Sequence, residues 1–298
     1  MRISTSQQFA SLKQQIMDAQ ERVDLYQTRM STGIRVSKPS DDPFAALGIL
    51  TLSSAKSKSD QHQSTATAAS NNLKMAEARL GEMTDVMQQA KTIVIQGANG
   101  ATDQQGRIAL AAQIDALQQR LVQSANGQDG SGHYLFAGYK VTTKPFVPDS
   151  SVVNNYIRYD GDQGKQIVEA GPGTLLQSNM LIDQQVTDAY NALEDAKQRL
   201  QAGDASGLSG VTLQKIDDAA ANLLNTRGEA GVMIQQFDDA AAAATRRSDE
   251  FTKQISDKQD ADLIDTVTNL QRAQTAYQAS LAALTVANGL TLLDYLKP

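Results

Sequence analysis

The sequence predicts a mainly helical protein of long antiparallel helices, whose coiled-coil N- and C-terminal ends pair together, with a small β-rich insert. Three observations lead to this prediction. Apolar residues recur at alternating spacings of three and four near both ends of the chain. Ala, Gln, Leu, Asp and Ser are abundant, which favours helix. A stretch rich in Gly and Tyr interrupts the helical pattern in the middle.

The last stretch of the chain, residues 263–296, contains a heptad pattern with no Gly or Pro before Gly289. Small residues flank this pattern, so a partner helix can approach closely. A heptad helix at a chain end needs another helix to pack against, and the other end of the chain is the obvious candidate. The pattern consists of Val267, Leu270, Gln274, Tyr277, Leu281 and Leu284.

A matching heptad pattern lies at the N-terminal end, with its charged residues on the other faces of the helix. An ordinary amphipathic helix on a globular core would be the alternative interpretation. About seven apolar positions offer little burial against the cost of ordering about thirty residues. The paired ends should therefore be marginally stable alone and become stable when further helices cover them. The pattern consists of Phe9, Leu12, Ile16, Ala19, Val23, Tyr26 and Met30.

A turn at 37–43 should connect the N-terminal coil to the next helix. Asp42 can cap that helix, and Pro43 suits its first position because the missing N–H is not needed there. Asp41 also lies where the helix dipole favours negative charge. Two adjacent carboxylates could instead serve acid–base chemistry, but capping is the favoured interpretation.

The pattern along the chain predicts five segments. The middle segment should hold strands at 133–138, 155–159 and 165–169, with the last two joined by a hairpin turn at 160–164. The five segments are an N-terminal coil at 1–35, a helical half at 36–130, the β-rich insert at 131–178, a second helical half at 179–264 and a C-terminal coil at 265–298.

No motif supports catalysis, a cofactor or a metal. His62 and His133 lie far apart, and no zinc-peptidase, nucleophile-elbow or P-loop pattern occurs. The acidic turn at 160–164 lacks the bidentate Glu of a calcium loop, because the twelfth position is Gly171. A net charge of -6 without a basic patch argues against nucleic-acid binding. No run is long enough to span a membrane, and the N-terminus lacks the apolar region of a cleaved signal peptide.

Several short stretches, at both ends and in the middle of the sequence, together form a recognisable set. The stretches are Met-Arg-Ile-Ser-Thr at 1–5, Met-Ser-Thr-Gly-Ile-Arg at 30–35, Pro-Ser-Asp-Asp-Pro at 39–43, Tyr-Leu-Phe-Ala-Gly at 134–138, Lys-Pro-Phe at 144–146, Tyr-Asp-Gly-Asp at 159–162 and Leu-Leu-Asp-Tyr-Leu at 292–296. In this order they resemble the flagellin superfamily, and more narrowly its hook–filament junction branch, the third hook-associated proteins. The Lys297–Pro298 tail extends the usual ending.

This resemblance implies a non-enzymatic structural subunit that assembles at the flagellar hook–filament junction, outside the cell. Its partners would be copies of itself, the other junction protein, flagellin and an export chaperone, and it would leave the cell through the flagellar type III apparatus without a cleaved signal peptide. Asp41, Asp42 and Pro43 would fix the turn. The implied assembly interface is Phe9, Leu12, Ile16, Val23, Tyr26, Met30, Val267, Leu270, Tyr277, Leu281, Leu284, Leu292 and Leu293.

Two other functions fit the same helical pattern. A short filament flagellin would be abundant along the filament, whereas a junction subunit would be present in about one ring. A cytosolic coiled-coil scaffold or signalling protein would not be secreted, and its termini would resist proteases in the free monomer. An enzyme has only unplaced Ser, Lys and Asp residues in its favour.

Overall fold

The structure, a computed structural model, describes residues 5–99, 102–149 and 156–295. It confirms a mainly helical fold with a small β-rich insert. The helices are α1 (Thr5–Thr32), α2 (Pro43–Ala98), α3 (Gln104–Ala125), α4 (Asp183–Ala202), the single turn α5 (Ala205–Gly207), a π-helical turn (Leu208–Thr212), α6 (Leu213–Gln259) and α7 (Leu263–Tyr295).

The chain divides into two compact units. The terminal unit comprises Met1–Ser57 and Arg247–Pro298, and the central unit comprises Lys58–Arg246. Both boundaries lie inside long helices, α2 and α6, and differ from the predicted segment ends at 35 and 265. The helical pattern runs unbroken through each boundary, so hydrophobic periodicity alone could not show where one compact unit ends.

The central unit contains a continuous apolar core built from α2, α3, α4 and α6. Apolar residues of α2 recur at alternating spacings of three and four, a pattern that predicts a packing seam. This seam, Leu73, Ala76, Leu80, Met83, Met87, Ala90 and Val94, is buried throughout, with Leu80, Met83 and Met87 fully inaccessible. Met residues on this seam fill the core as packing groups, which their flexible side chains do well. The other helices contribute Ile114, Leu121, Val186, Leu193, Leu200, Ile216, Leu223 and Phe237 to the same core.

Three ion pairs connect α2 to α6 along the surface of the central unit. Their spacing shows that the two helices run antiparallel, because residues later in α2 pair with residues earlier in α6. Each exposed pair contributes at most about 1 kcal/mol, so these contacts fix register more than stability. The pairs are Lys74–Asp238 at 3.1 Å, Lys91–Asp217 at 2.7 Å and Arg227–Glu77 at 2.6 Å.

The insert holds two separate antiparallel sheets of two strands each. β1 (Phe146–Pro148) pairs with β2 (Ile157–Tyr159), and β3 (Ile167–Gly171) pairs with β4 (Thr174–Gln177). The start of the predicted second strand, including Asn155, lies outside the described residues.

Two predictions about the insert are wrong. Residues 133–138 form turns rather than a strand, apart from one bridge between Gln128 and Tyr134. The 160–164 segment is not a hairpin turn, because Asp162 Oδ1 accepts hydrogen bonds from the amides of Tyr139 and Gly164 and so folds the segment back onto the preceding loop. The hairpin turn lies instead at 171–173, where Gly173 has a φ of 69°.

Candidate assembly interface

The two ends of the chain pack on each other, because α1 contacts α7 along their length. The pair is antiparallel, since an isolated antiparallel bridge between Ile34 and Asp260 joins the end of α1 to the start of α7. The two heptad patterns predicted this pairing.

The α1 side of the contact is only partly covered. Ala19 is buried, with 2% of its surface exposed. Its neighbours on the seam are half-buried, namely Leu12, Ile16, Val23 and Tyr26. Phe9 and Met30, at the two ends of the predicted seam, remain 39% and 48% exposed. A full core would leave such residues almost inaccessible, so this helix has apolar surface that the single chain does not cover.

On α7, the residues that face α1 differ from the predicted heptad positions by one residue at every second position. Leu270, Tyr277 and Leu284 are half-buried, as expected for the seam, but Val267 and Leu281 are 44% and 38% exposed. The positions that turn inward instead are small or short, and they let α1 approach closely: Thr266, Ala273 and Ser280. The backbone of α7 includes Leu292 and Leu293, whose side chains lie outside the described residues.

The terminal unit exposes further apolar side chains on two of its helices. They are Ile264 and Val267 on α7, and three residues at the start of α2. Those three, Phe44, Leu47 and Leu50, are 89%, 63% and 68% exposed. Large exposed apolar patches mark surfaces that bind other proteins. Among its described residues, the terminal unit buries fully only the apolar side chains of Ala19, Val36 and Ala273.

The turn between α1 and α2 is held by two carboxylates. Asp42 Oδ1 accepts a hydrogen bond from the Ala45 amide at 3.0 Å, the geometry of a helix N-cap, and Pro43 is the first residue of α2. Asp41 Oδ2 accepts from the amides of Ser37 and Lys38, at 3.0 and 2.9 Å. The two side chains therefore satisfy backbone donors on opposite sides of the turn.

Arg35 connects this turn to the last residues of α6, a role that the sequence analysis missed. Its amide donates to Gln259 O at 2.7 Å, and its Nη2 donates to Lys258 O at 2.7 Å. Its Nη1 lies 3.2 Å from Asp42 Oδ2. Gly33, with a φ of 71°, ends α1 immediately before this contact. The sequence did show a cation, Arg35, two residues after the Gly that ends α1. It could not show the partner of this cation, because Lys258 is distant in sequence.

Hydrogen bonds lower the pKa of both carboxyl groups in the turn. The amides of Lys38 and Ser37 lower the pKa of Asp41. The Ala45 amide and then the Arg35 side chain lower the pKa of Asp42. Donors that favour the charged form stabilise the carboxylate, so the turn is best held when both groups are ionised.

The described residues include no candidate metal site. They contain no group of three or more His, Asp or Glu side chains that could hold a metal ion. Within the same described ranges, no helix combines the length and apolarity needed to cross a bilayer. The apolar surface of the terminal unit is thus the feature that most needs a functional explanation.

Acid should loosen the turn at Asp42. Because folding lowers this pKa below its usual 3.8, the cap's contribution is complete above about pH 3.8 and is lost as the pH falls through the folded value. The Ala45 amide shift, followed by NMR, should titrate with a midpoint below 3.8. In Asp42→Asn, which keeps an acceptor oxygen but cannot titrate, this transition should vanish. A midpoint at or above 3.8 in the wild type would contradict the capping role.

Comparison with known proteins identifies the family. Residues 3–141 match the profile of the bacterial flagellin N-terminal helical region, and residues 213–296 match that of the bacterial flagellin C-terminal helical region. The two matches together cover about three quarters of the chain. They contain α1, α2 and α3 at one end, and α6 and α7 at the other.

Individual relatives agree with these matches. Flagellar hook-associated protein 3 of Escherichia coli is 28% identical over 319 residues, covering 100% of both chains. Flagellar hook-associated protein 3 of Salmonella typhimurium is 34% identical over 146 residues, which are 49% of this chain and 46% of that protein. The solved structure of a putative flagellar hook-associated protein from Vibrio parahaemolyticus shares the fold, with a TM-score of 0.63 and 24% identity over 74% of this chain and 100% of that one. The chain therefore belongs to the flagellin superfamily and is of the hook-associated protein 3 type.

Proposed function

We propose that this chain is a structural subunit that self-assembles at the hook–filament junction of the bacterial flagellum, connecting the hook side to the flagellin filament. The observation that carries this proposal is the uncovered apolar surface of the terminal unit, on Phe44, Leu47 and Leu50 of α2 and on Val267 and Leu281 of α7. The names of the relatives, flagellar hook-associated protein 3, supply the place of assembly.

The paired helices α1 and α7 act as an incomplete layer that neighbouring subunits complete. One side of α7 contacts α1, and its Val267 and Leu281 point to another side. Helices from adjacent copies can cover that side by heptad packing. Burial of this surface then takes place only in the assembly, so the free energy of assembly and the ordering of the chain ends are coupled.

The central unit supplies a body that is folded before assembly. Its core is continuous and its apolar seam is covered within one chain. The β-rich insert is the part of this unit that extends outward from the assembled tube. This division suits a subunit whose terminal unit forms contacts and whose central unit keeps its own fold.

Loosely covered ends also suit a chain that leaves the cell unfolded. The chain leaves through the flagellar type III apparatus, with an export chaperone bound to its C-terminal part. Outside the cell its partners are copies of itself, the other junction protein and the first flagellin subunits. Its work is mechanical rather than enzymatic, since each subunit joins two different structures by contact alone.

Removal of this chain should leave hooks without filaments. Electron microscopy of cells that lack it should show intact hooks with free ends, because flagellin has no subunit to attach to. Supplying the full chain from a plasmid should restore filaments. Filaments of normal number in cells without this chain would contradict the proposal.

Leu281→Asp should block assembly while leaving the central unit folded. Leu281 is 38% exposed in the single chain, so the carboxylate remains in water there, but a neighbouring helix would bury it without a partner at high cost. Circular dichroism of the purified variant should keep the helix signal of the wild type, and cells carrying it should lack filaments.

Leu281→Met is the matched control, because it keeps an apolar side chain of similar volume and should support filaments. Filament growth with Leu281→Asp would show that this position is not covered in the assembly. Loss of helix signal in Leu281→Asp would contradict the proposal that the central unit folds independently of the contacts made by the terminal unit.

A further inference from the structure

The outward side of α6 in the central unit carries acidic groups that pair with no cation in the part of the chain that the structure describes, although Gln214 and Gln235 donate hydrogen bonds to Asp218 and Asp239. Other charged residues of this stretch, such as Asp217, Arg227 and Asp238, form ion pairs with α2. The acids that remain have no cationic partner among the described residues: Asp218, Glu229 and Asp239. At 100° per residue they lie within about 80° of one another around the helix.

The outward half of α6 also has two glycines that the fold of the single chain does not need. A Cβ added to Gly228 or Gly231 would meet nothing within 4 Å. Each glycine inside a long helix costs about 1 kcal/mol relative to alanine. Neither a turn nor a close intramolecular contact explains that cost, whereas a partner that approaches the helix backbone closely would.

Apolar side chains flank these glycines. Leu224 and Val232 are 58% and 60% exposed. Both lie four residues from Gly228, so they occupy the same side of the helix. We call this surface, with its three acids, its two glycines, Leu224 and Val232, the α6 outer face.

The insert of the central unit exposes a second apolar surface. Tyr139, Ile167 and Leu175 are 64%, 62% and 67% exposed. Tyr139 is fixed in place by a hydrogen bond from its hydroxyl to Lys165 O at 2.7 Å. Ile167 and Leu175 share one face of the β3–β4 hairpin, because Leu175 lies opposite Glu169, two residues after Ile167.

Lysines accompany this insert surface. Lys165 is exposed, and within the described part of the chain it has no carboxylate partner. Lys140, next to Tyr139, donates to the carbonyl oxygens of Asp160 and Gly161, at 3.5 and 3.4 Å, and its charge also lowers the pKa of the nearby Asp160 and Asp162 carboxyl groups. Glu169 lies on the same face but accepts a hydrogen bond from the Gly173 amide at 3.4 Å. We call Tyr139, Lys140, Lys165, Ile167 and Leu175 the hairpin patch.

We propose that the hairpin patch of one copy of this chain binds the α6 outer face of another copy. The hairpin patch has apolar side chains and two lysines. The α6 outer face has apolar side chains, acidic groups that could pair with those lysines, and two glycines at which another chain can approach the helix backbone. Two α6 outer faces would repel each other through their like charges, so a contact between different surfaces is favoured over a symmetric one.

A contact between two different surfaces leaves one of each free on every pair, so it continues from copy to copy as a ring or a helical array requires. This inference rests on the proposed assembly role, but its test uses purified protein and no flagellum. Failure of the contact and failure of the junction role are therefore separate results.

The absence of cysteine from the chain allows a direct crosslinking test. Full-length Leu175→Cys protein and full-length Val232→Cys protein should be mixed at high concentration and oxidised mildly. We expect the mixed disulfide dimer to form well above the yield of Leu175→Cys mixed with Ile108→Cys. Ile108 is the matched control because it is an apolar α3 residue with a similar exposure of 54%.

Charge reversal tests the specificity of the contact. Adding Lys165→Glu to the Leu175→Cys chain should lower the yield about fivefold, as the loss of one interfacial ion pair does. Adding Glu229→Lys to the Val232→Cys chain should then restore it. A mixed yield equal to the Ile108→Cys control, or a predominance of dimers joined through two identical positions, would overturn the proposal.

Discussion

The two ends of the chain carry more apolar surface than they can bury against each other. This uncovered surface is the constraint on which the rest of the structure depends. A two-helix contact covers one side of each helix. Ala19 and Ala273 are buried in it, while Phe44, Leu50 and Ile264 of the same unit stay in solvent. Hydrophobic burial is the main favourable term in folding, so a unit that leaves such residues exposed gains stability when neighbouring chains cover them. In the central unit the opposite holds, because its apolar seams close on one another.

The turn that connects α1 to α2 keeps this arrangement specific. Arg35 contacts both Asp42 and the last carbonyl groups of α6, so one side chain joins the two polypeptide segments that enter and leave the terminal helix pair. Polar contacts of this kind add little to stability at an exposed site, but they fix direction. With apolar packing loose in a single chain, such directional contacts position the two helices for their neighbours.

The sequence predicted the parts of the fold that depend on periodicity. The α2 seam through Leu80 and Met87 is buried as its spacing indicated, and the two ends pair. On α7, the predicted packing positions were displaced by one residue at alternate turns. The pattern selected large apolar residues such as Leu281, whereas the close contact with α1 is made through the small residues Ala273 and Ser280. The strand predicted at 133–138 failed because its neighbouring glycines and Asp129 favour turns.

The candidate interface was predictable to a similar extent. Asp42 and Pro43 follow local capping rules and could be assigned from a few residues. Arg35 could not, since its partners on α6 are more than two hundred positions away. The sequence also does not show that Gly228 and Gly231 face open space. Only the structure shows that a Cβ at either position would meet nothing within 4 Å, so that no contact within the chain explains the helix stability these glycines cost.

Amide hydrogen exchange, compared between the free chain and the assembled flagellum, tests the central claim most directly. In the free chain, the amides of α1 and α7 should exchange much faster than those in the buried parts of α2 and α4, because only one side of each terminal helix is covered. In the assembly they should become as protected as the central unit. Equal protection of both units in the free chain, with no change on assembly, would contradict the account.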